Sequence, residues 1–206
     1  MVRFESCPPS GSNEFQSENV QIRMKTTPLL AAFFLILATI SPAQTCREVV
    51  RDSSGRFVQT VERWTQSGGA VQTTTRDATG RITGTATTRP NAGGARTEYR
   101  DASGRLAGSA VTQGNAAGSA RTTYRDSSGR LAGTADTQTA AARTSRTQYR
   151  DASGRLTGTS TTNASPAGSF TGTNRDASGR LTGSSTGIGK CQGVVRIPVL
   201  PPGTKK

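Results

Sequence analysis

Residues 95–112 read ARTEYRDASGRLAGSAVT, and this stretch decides the fold. The residues from Asp101 to Gly104 predict a tight turn. An aspartate carboxylate accepts hydrogen bonds from the backbone N–H groups one and two residues ahead, and glycine takes the left-handed conformation that closes the turn. The flanking segments 95–100 and 105–112 contain Thr, Tyr and Val, which favour strands. The stretch is therefore typical of a β-hairpin.

The same hairpin signature recurs along the chain. The motif Arg-Asp-[Ala/Ser]-[Ser/Thr]-Gly-Arg occurs six times, at intervals of 24 or 25 residues, and Phe, Ile or Leu follows each copy. Self-similarity at this period indicates a repeat protein whose copies pack on their neighbours, and no 3.6-residue apolar stripe supports an α-solenoid. We predict an all-β repeat protein of about six 25-residue β-hairpin units, forming an antiparallel meander or an elongated curved sheet. Because one hairpin buries too little apolar surface to fold alone, disorder before a partner binds stays open.

Counting along one hairpin with a four-residue loop predicts two chemically different faces. Arg100 lies opposite Arg105, and the next pair on the ladder, Tyr99 and Leu106, points to the other face. One face then carries Tyr, Leu, Thr and Gly and is the candidate core, whereas the other carries arginine. A one-residue slip of the register would invert this assignment. The basic face supplies the candidate polyanion-binding residues, which are Arg100, Arg105, Arg125, Arg130, Arg150 and Arg155.

The composition argues against catalysis. Of the 206 residues, 32% are hydrophobic and 5% aromatic, which is little for the core of a large enzyme. The chain has no histidine, which removes the commonest general base and metal ligand. The segment 183–191, GSSTGIGKC, departs from a phosphate-binding loop, and one turn aspartate per repeat does not supply a calcium site. We expect a non-enzyme without a cofactor or a bound metal.

An apolar run near the N-terminus predicts export. Residues 29–40, LLAAFFLILATI, are uncharged, too few for a transmembrane helix and of the right number for a secretory signal. Lys25 precedes the run and Ser-Pro-Ala follows it, so we expect cleavage after Ala43. An uncleaved anchor or a buried strand is the alternative interpretation of this run.

We expect four parts in the translated chain, with no transmembrane span after processing. The polar N-terminal segment precedes a natural start at Met24, so we interpret it as an over-extended start site, with a genuine cytosolic extension as the alternative. The parts are this start-site extension over 1–23, the signal peptide over 24–43, the repeat array over 44–194 and a basic, proline-containing tail over 195–206.

Processing would leave two cysteines, Cys46 and Cys191, near the two ends of the array. Paired cysteines in an exported chain usually form a disulfide. A bridge between them would close a loop of about 146 residues. It would stabilise the fold by at most about 5 kcal/mol, by constraining the unfolded chain. Free or intermolecular thiols are the alternative.

The turn motif Asp-x-x-Gly-Arg-[Leu/Ile] resembles the core of the YD repeats of Rhs-type bacterial surface proteins and toxin shells. The resemblance covers six short turns, about a fifth of the chain. Arg stands directly before each Asp, where the family has Tyr, and the repeat is longer than the family's. The resemblance implies an extracytoplasmic β-repeat of bacterial type.

The net charge of +13 favours anionic partners, and most of the basic residues are arginine, whose planar fork suits phosphate and carboxylate. We predict a secreted, periplasmic or envelope-associated protein with a binding or structural role. Its arginine face would bind acidic polysaccharide, lipopolysaccharide phosphate or extracellular nucleic acid. A solvated face that only keeps the sheet soluble is an equally open interpretation. The alternative function is a self-associating extracellular matrix or fibre subunit, and a small periplasmic enzyme is a third.

Overall fold

The computed structural model describes residues 45–189 apart from 115–117 and 142. Twelve antiparallel strands fill this range, and neighbours in the chain are joined as hairpins. The start-site, signal-peptide, cleavage-site and tail predictions, as well as Cys191, lie outside the described residues. The strands are β1 Thr45–Asp52, β2 Phe57–Thr65, β3 Val71–Asp77, β4 Ile82–Asn91, β5 Gly94–Asp101, β6 Leu106–Gly114, β7 Ala120–Asp126, β8 Leu131–Ala141, β9 Thr144–Asp151, β10 Leu156–Ala164, β11 Phe170–Asp176 and β12 Leu181–Gly189.

The twelve strands close into a barrel. Each strand pairs with its neighbours in the chain, and β1 pairs with β12 over seven residue pairs, from Cys46 opposite Gly189 to Asp52 opposite Gly183. The prediction of an all-β fold of repeated hairpins is confirmed, whereas the open meander or curved sheet is wrong. Closure satisfies the backbone N–H and C=O groups that the two edge strands of an open sheet would leave unpaired.

Each repeat turn forms at the predicted Asp-x-x-Gly segment, with a loop one residue shorter than the four residues that were predicted. In the third copy, the N–H of Asp101 donates to the carbonyl of Arg105 at 2.9 Å, and the N–H of Gly104 donates to the carbonyl of Asp101 at 3.0 Å. Gly104 has φ 81°, in the left-handed region that glycine enters without a steric penalty. The turn is therefore closed by its glycine, as expected.

The register differs from the prediction in two ways, because Asp101 faces Arg105 across a loop one residue shorter than predicted and a bulge follows Leu106. Arg100 pairs with Leu106 and Tyr99 pairs with Gly108, with a register shift between the two pairs. The predicted pairs, Arg100 with Arg105 and Tyr99 with Leu106, are therefore wrong. Because paired residues share a face and the shorter loop shifts Leu106 by one position, Leu106 joins Arg100 on the outer face. The bulge at Ala107 then places Gly108 opposite Tyr99.

The interior of the barrel is built from small and hydroxylated side chains around tyrosine. Tyr124 packs against Ala110 and Ala135, and the half-buried Tyr99 and Tyr149 flank this cluster. The tyrosine and threonine part of the predicted core is confirmed, while the leucine part is wrong. Facing threonines hydrogen-bond across neighbouring strands at 2.9 Å in three successive repeats: Thr88 with Thr97, Thr112 with Thr122, and Thr137 with Thr147.

Strands β1 and β2 contribute a buried ion pair to the same interior. Nη1 of Arg63 lies 2.8 Å from Oε2 of Glu48, and their side chains are only 8% and 12% exposed. Burial raises the pKa of Tyr149 to about 12, with the Glu48 charge adding to the shift. Burial also raises the pKa of Tyr99 well above its usual range, although the Arg63 charge opposes that shift. The charges of this ion pair therefore influence the pKa values of the tyrosines in β5 and β9.

Candidate functional site: an arginine rim

All six repeat turns lie at one end of the barrel. Each of them joins an odd-numbered strand to the following even-numbered strand, and strand direction alternates around an antiparallel barrel, so the six turns share one end. We define the arginine rim as the two arginines of each turn, which are Arg51, Arg56, Arg76, Arg81, Arg100, Arg105, Arg125, Arg130, Arg150, Arg155, Arg175 and Arg180.

The first arginine of each turn is held in place by its own loop. Nη1 of Arg100 donates to the carbonyl oxygen of Gly104 at 2.9 Å, and the five equivalent bonds measure 2.8–3.1 Å. A guanidinium carries five N–H donors, so this bond fixes the group while leaving donors for a phosphate or carboxylate. Six guanidinium groups are thereby positioned in advance around the rim.

The aspartate of each turn is occupied by its own loop as well. Oδ1 of Asp101 accepts the backbone N–H groups of Ser103 and Arg105 at 2.9 Å and the Ser103 hydroxyl at 2.7 Å. These N–H groups lie two and four residues ahead, whereas we predicted one and two. The hydrogen bond from the Ser103 hydroxyl, with the two backbone bonds, holds the pKa of Asp101 below its usual range.

The rim carries twelve arginines against six aspartates and is therefore strongly positive. The five turn aspartates after the first copy have lowered pKa values, so they stay ionised at neutral pH. Within the described part of the chain, no three acidic or cysteine side chains come together as metal ligands. The chemistry that the rim offers is anion binding.

The structure brings all six predicted polyanion-binding arginines to this rim, on three adjacent turns. Near the ends of β5, β7 and β9 lie Arg100, Arg125 and Arg150, and the turns that follow are closed by Arg105, Arg130 and Arg155. All six side chains are exposed. The prediction left out the other six rim arginines, which lie in the first, second and sixth copies. The repeated motif itself was the signal that would have found them.

A ring of exposed apolar side chains lies on the outer surface directly beside the rim. Each member follows the second arginine of a turn and pairs across its hairpin with the first arginine, as Leu106 does with Arg100. The side chains are 37–45% exposed. We call this set the apolar ring; its members are Phe57, Ile82, Leu106, Leu131, Leu156 and Leu181.

The opposite end of the barrel has different chemistry. An open depression of about 380 Å³ lies there, lined by the ends of β6, β7 and β8. Its charged groups neutralise each other, because Nε and Nη2 of Arg121 donate to the two carboxylate oxygens of Asp136 at 2.7 and 3.2 Å. The hydrogen bond to Arg121 lowers the pKa of Asp136 and raises that of Arg121. This depression is a weaker candidate for anion binding than the rim.

Comparison of the chain with family models, curated proteins and solved structures finds no match. The resemblance of the turns to YD repeats therefore stays a prediction. No helix that is long and apolar enough to cross a membrane occurs among the described residues.

Proposed function

We propose that this protein is an exported, non-enzymatic binding protein whose arginine rim binds polyanions. The observation that carries the proposal is the collection of twelve arginines at one end of a closed barrel, six of them fixed by loop carbonyls. Acidic polysaccharide, lipopolysaccharide phosphate and extracellular nucleic acid all present the phosphate or carboxylate groups that an arginine fork binds. Export rests on the apolar run over 29–40 and is tested by N-terminal sequencing of the mature chain, which should begin at Gln44.

The geometry of the rim supports binding to an extended anion more than to a small one. Exposed charges farther apart than about 8–10 Å are screened from one another at physiological salt, so separated arginines contribute as separate contacts. A chain with many phosphates or sulfates can engage several turns at once and release a counterion at each contact. Guanidinium groups that are already fixed lose less side-chain entropy on binding.

The test compares two sets of three arginines with equal charge loss. Arg105, Arg130 and Arg155 close adjacent turns, and their side chains make no hydrogen bond to the described residues, so they are changed together to Gln. The matched control changes Arg47, Arg89 and Arg146, which are exposed and lie towards the opposite ends of their strands, also to Gln.

Binding to heparin and to double-stranded DNA is measured over a salt series. We expect the rim variant to bind more weakly than the wild type and to lose salt dependence, with a slope on DNA smaller by about one per phosphate contact removed. The control should change little. Equal weakening in both variants would show that only net charge matters, and a wild-type chain that ignores both polyanions at low salt would refute the proposal.

Self-assembly into a fibre receives no comparable support. Growth through strand edges needs unpaired strands, and within the described barrel β1 and β12 pair with each other. Concentration-dependent sedimentation of the mature chain would nevertheless favour the matrix or fibre alternative over a monomeric binder.

A further inference from the structure

We infer that the arginine rim and the apolar ring together form a docking surface for an anionic lipid bilayer. The inference rests on the proposed function, since it names the partner of the same rim. Its basis is the pairing of each ring side chain with a rim arginine, in all six repeats, on the outer surface of the barrel.

The apolar ring is what distinguishes this surface from a simple polyanion site. Single exposed apolar side chains are normal on a protein surface, but here large apolar side chains recur at the corresponding exposed position of every repeat, all around one end. Here Phe57, Ile82, Leu106 and their equivalents are all 37–45% exposed, although the repeat could have used Thr or Ser there, as it does at other outward positions. Recurrence in all six copies indicates a common partner with an apolar component.

Charge complementarity selects that partner. A second copy docking rim to rim would oppose two sets of twelve arginines, which repel. A nucleic acid or polysaccharide offers anionic groups, but it has little apolar surface for the side chains of the apolar ring to contact. An anionic bilayer offers both components, because phosphate groups lie at its surface and acyl chains lie directly beneath. Arginine beside leucine can bind the headgroups while the leucine enters the apolar boundary.

The distribution of the remaining side chains sets how the barrel would dock. Beyond the rim, the outer face of β5 carries Glu98 and Arg96, and that of β7 carries Thr123 and Arg121. These polar positions favour contact through the end of the barrel that bears the rim rather than through its flank. Towards the opposite end, Arg121 is paired with Asp136, and the exposed Arg47, Arg89 and Arg146 do not recur at one position of every repeat as the rim arginines do. We therefore expect a peripheral, rim-first orientation.

The experiment separates the apolar contribution from the electrostatic one. Leu106, Leu131 and Leu156 are changed together to Gln, which leaves every arginine in place. The matched control is Ile188→Gln, which removes an exposed aliphatic side chain near the opposite end of β12. Sedimentation is measured with vesicles of pure phosphatidylcholine and with vesicles that also contain about 30% phosphatidylglycerol, which gives them a negative surface. Heparin binding of the same proteins is measured in parallel.

We expect the wild-type chain to bind the anionic vesicles and not the neutral ones, and to bind heparin. The triple leucine variant should keep heparin binding while its vesicle affinity falls by about tenfold or more, since it buries less apolar area at the interface. Ile188→Gln should bind vesicles as the wild type does. Near-native circular dichroism of both variants confirms that they fold.

The outcomes distinguish the two proposals. A wild-type chain that binds heparin but not anionic vesicles would overturn the lipid inference and leave the polyanion proposal standing. A wild-type chain that binds neither heparin nor anionic vesicles would overturn the two proposals together. A leucine variant that binds vesicles as tightly as the wild type would also overturn the lipid inference, because attraction would then be electrostatic alone. As an independent readout, Leu131→Trp in a Trp64→Phe background should shift its emission to the blue on anionic vesicles; an unchanged spectrum would contradict insertion.

Discussion

At the residue scale, glycine serves two different purposes in each repeat. Gly104 has φ 81°, and a Cβ added there would meet no atom within 4 Å, so only backbone conformation requires glycine. Gly108 has no unusual φ, but a Cβ there would lie 2.5 Å from the carbonyl oxygen of Arg125 on the next strand. The first glycine shapes the turn, while the second lets neighbouring hairpins approach beside the bulge.

The two glycines should respond to alanine for these separate reasons. Gly104→Ala should lower the free energy of unfolding by about 1–2 kcal/mol, the usual penalty of a left-handed conformation. Gly108→Ala should cost about 1–3 kcal/mol, because a strand backbone must move to admit the methyl group. Urea unfolding measures both, with Ala102→Ser as the control, expected within about 0.5 kcal/mol. A neutral effect of Gly108→Ala would contradict the close approach of the two hairpins.

The turn aspartates make the fold sensitive to acid. The hydroxyl hydrogen bonds of Ser103 and Ser128 and the backbone bonds lower the pKa of Asp101 and Asp126. A lowered folded-state pKa contributes stability that is complete above the normal aspartate pKa, near about 4, and is lost as the pH falls through the folded value. The wild type should therefore lose thermal stability below about pH 4 as these carboxylates protonate.

Asp101→Asn with Asp126→Asn should flatten this acid dependence, because the amide keeps an acceptor oxygen but does not titrate. The measurement is the melting temperature from pH 7 to pH 2 by circular dichroism. Glu62→Gln with Glu98→Gln removes the same charge from outward strand positions and should keep the wild-type profile. Identical profiles for all three proteins would mean that the turn carboxylates do not govern acid stability.

At the element scale, the hairpin could be predicted and its register could not. Asp, Ser and Gly form a turn at the predicted place, although the aspartate accepts N–H groups two and four residues ahead instead of one and two. The predicted register assumed a four-residue loop, and it contained neither the shorter loop that puts Arg105 opposite Asp101 nor the bulge that follows Leu106. Because side chains alternate with a period of two, a loop one residue shorter than predicted moved Leu106 from the predicted core to the apolar ring.

The ion pair between β1 and β2 was not predicted either. Both residues belong to the first hairpin but lie outside the repeated turn motif, and the pairing of β1 with β2 brings them together next to Val61, which is 1% exposed. Repeat units that close a barrel need not match the central copies. In the first hairpin, a charged pair occupies positions where the central copies have the facing, hydrogen-bonded threonines.

Breaking this pair should destabilise the barrel strongly. Glu48→Leu would leave the Arg63 guanidinium buried without its carboxylate, at a cost of about 3–5 kcal/mol in the free energy of unfolding. The double variant Glu48→Leu with Arg63→Met removes both charges and should recover most of that loss. Urea unfolding of the single and double variants forms the measurement.

An exposed pair provides the comparison. Arg121→Gln breaks the pair with Asp136, but the Arg121 side chain is 67% exposed, so its loss should cost no more than about 1 kcal/mol. Equal costs for Arg121→Gln and Glu48→Leu would show that the Glu48–Arg63 pair is not held away from water.

At the scale of the whole molecule, the repeat period explains the polarity of the barrel. Each repeat of 24 or 25 residues contains two strands, so the chain returns to the same end with every copy and places the same turn there. The gathering of the six turns at one end was thus implicit in the sequence. Closure was not, because it depends on strand number, tilt and stagger across the whole sheet rather than on any local pattern.

Closure predicts that β1 and β12 are as well protected as the central strands. In the barrel, Val49 of β1 lies opposite both Thr60 of β2 and Thr186 of β12, so both edges of the strand are paired. In β1 and β12, successive amides point to opposite neighbouring strands, and both neighbours are paired. The amide hydrogen exchange rates of β1 and β12 in the mature chain should therefore be as slow as those of β6 and β7. Exchange requires opening of the paired strands, and no strand of a closed barrel is an edge.

The measurement is made with and without reductant, because a bridge between Cys46 and Cys191 would hold the two ends together whether or not the strands pair. Protection of β1 and β12 that persists in reductant confirms that the ladder itself closes the barrel. Rapid exchange along the edge of β1 that faces β12, with slow exchange along the edge that faces β2, would instead be the signature of an open sheet. In that case the arginine rim would be an arc, and the apolar ring would have two ends.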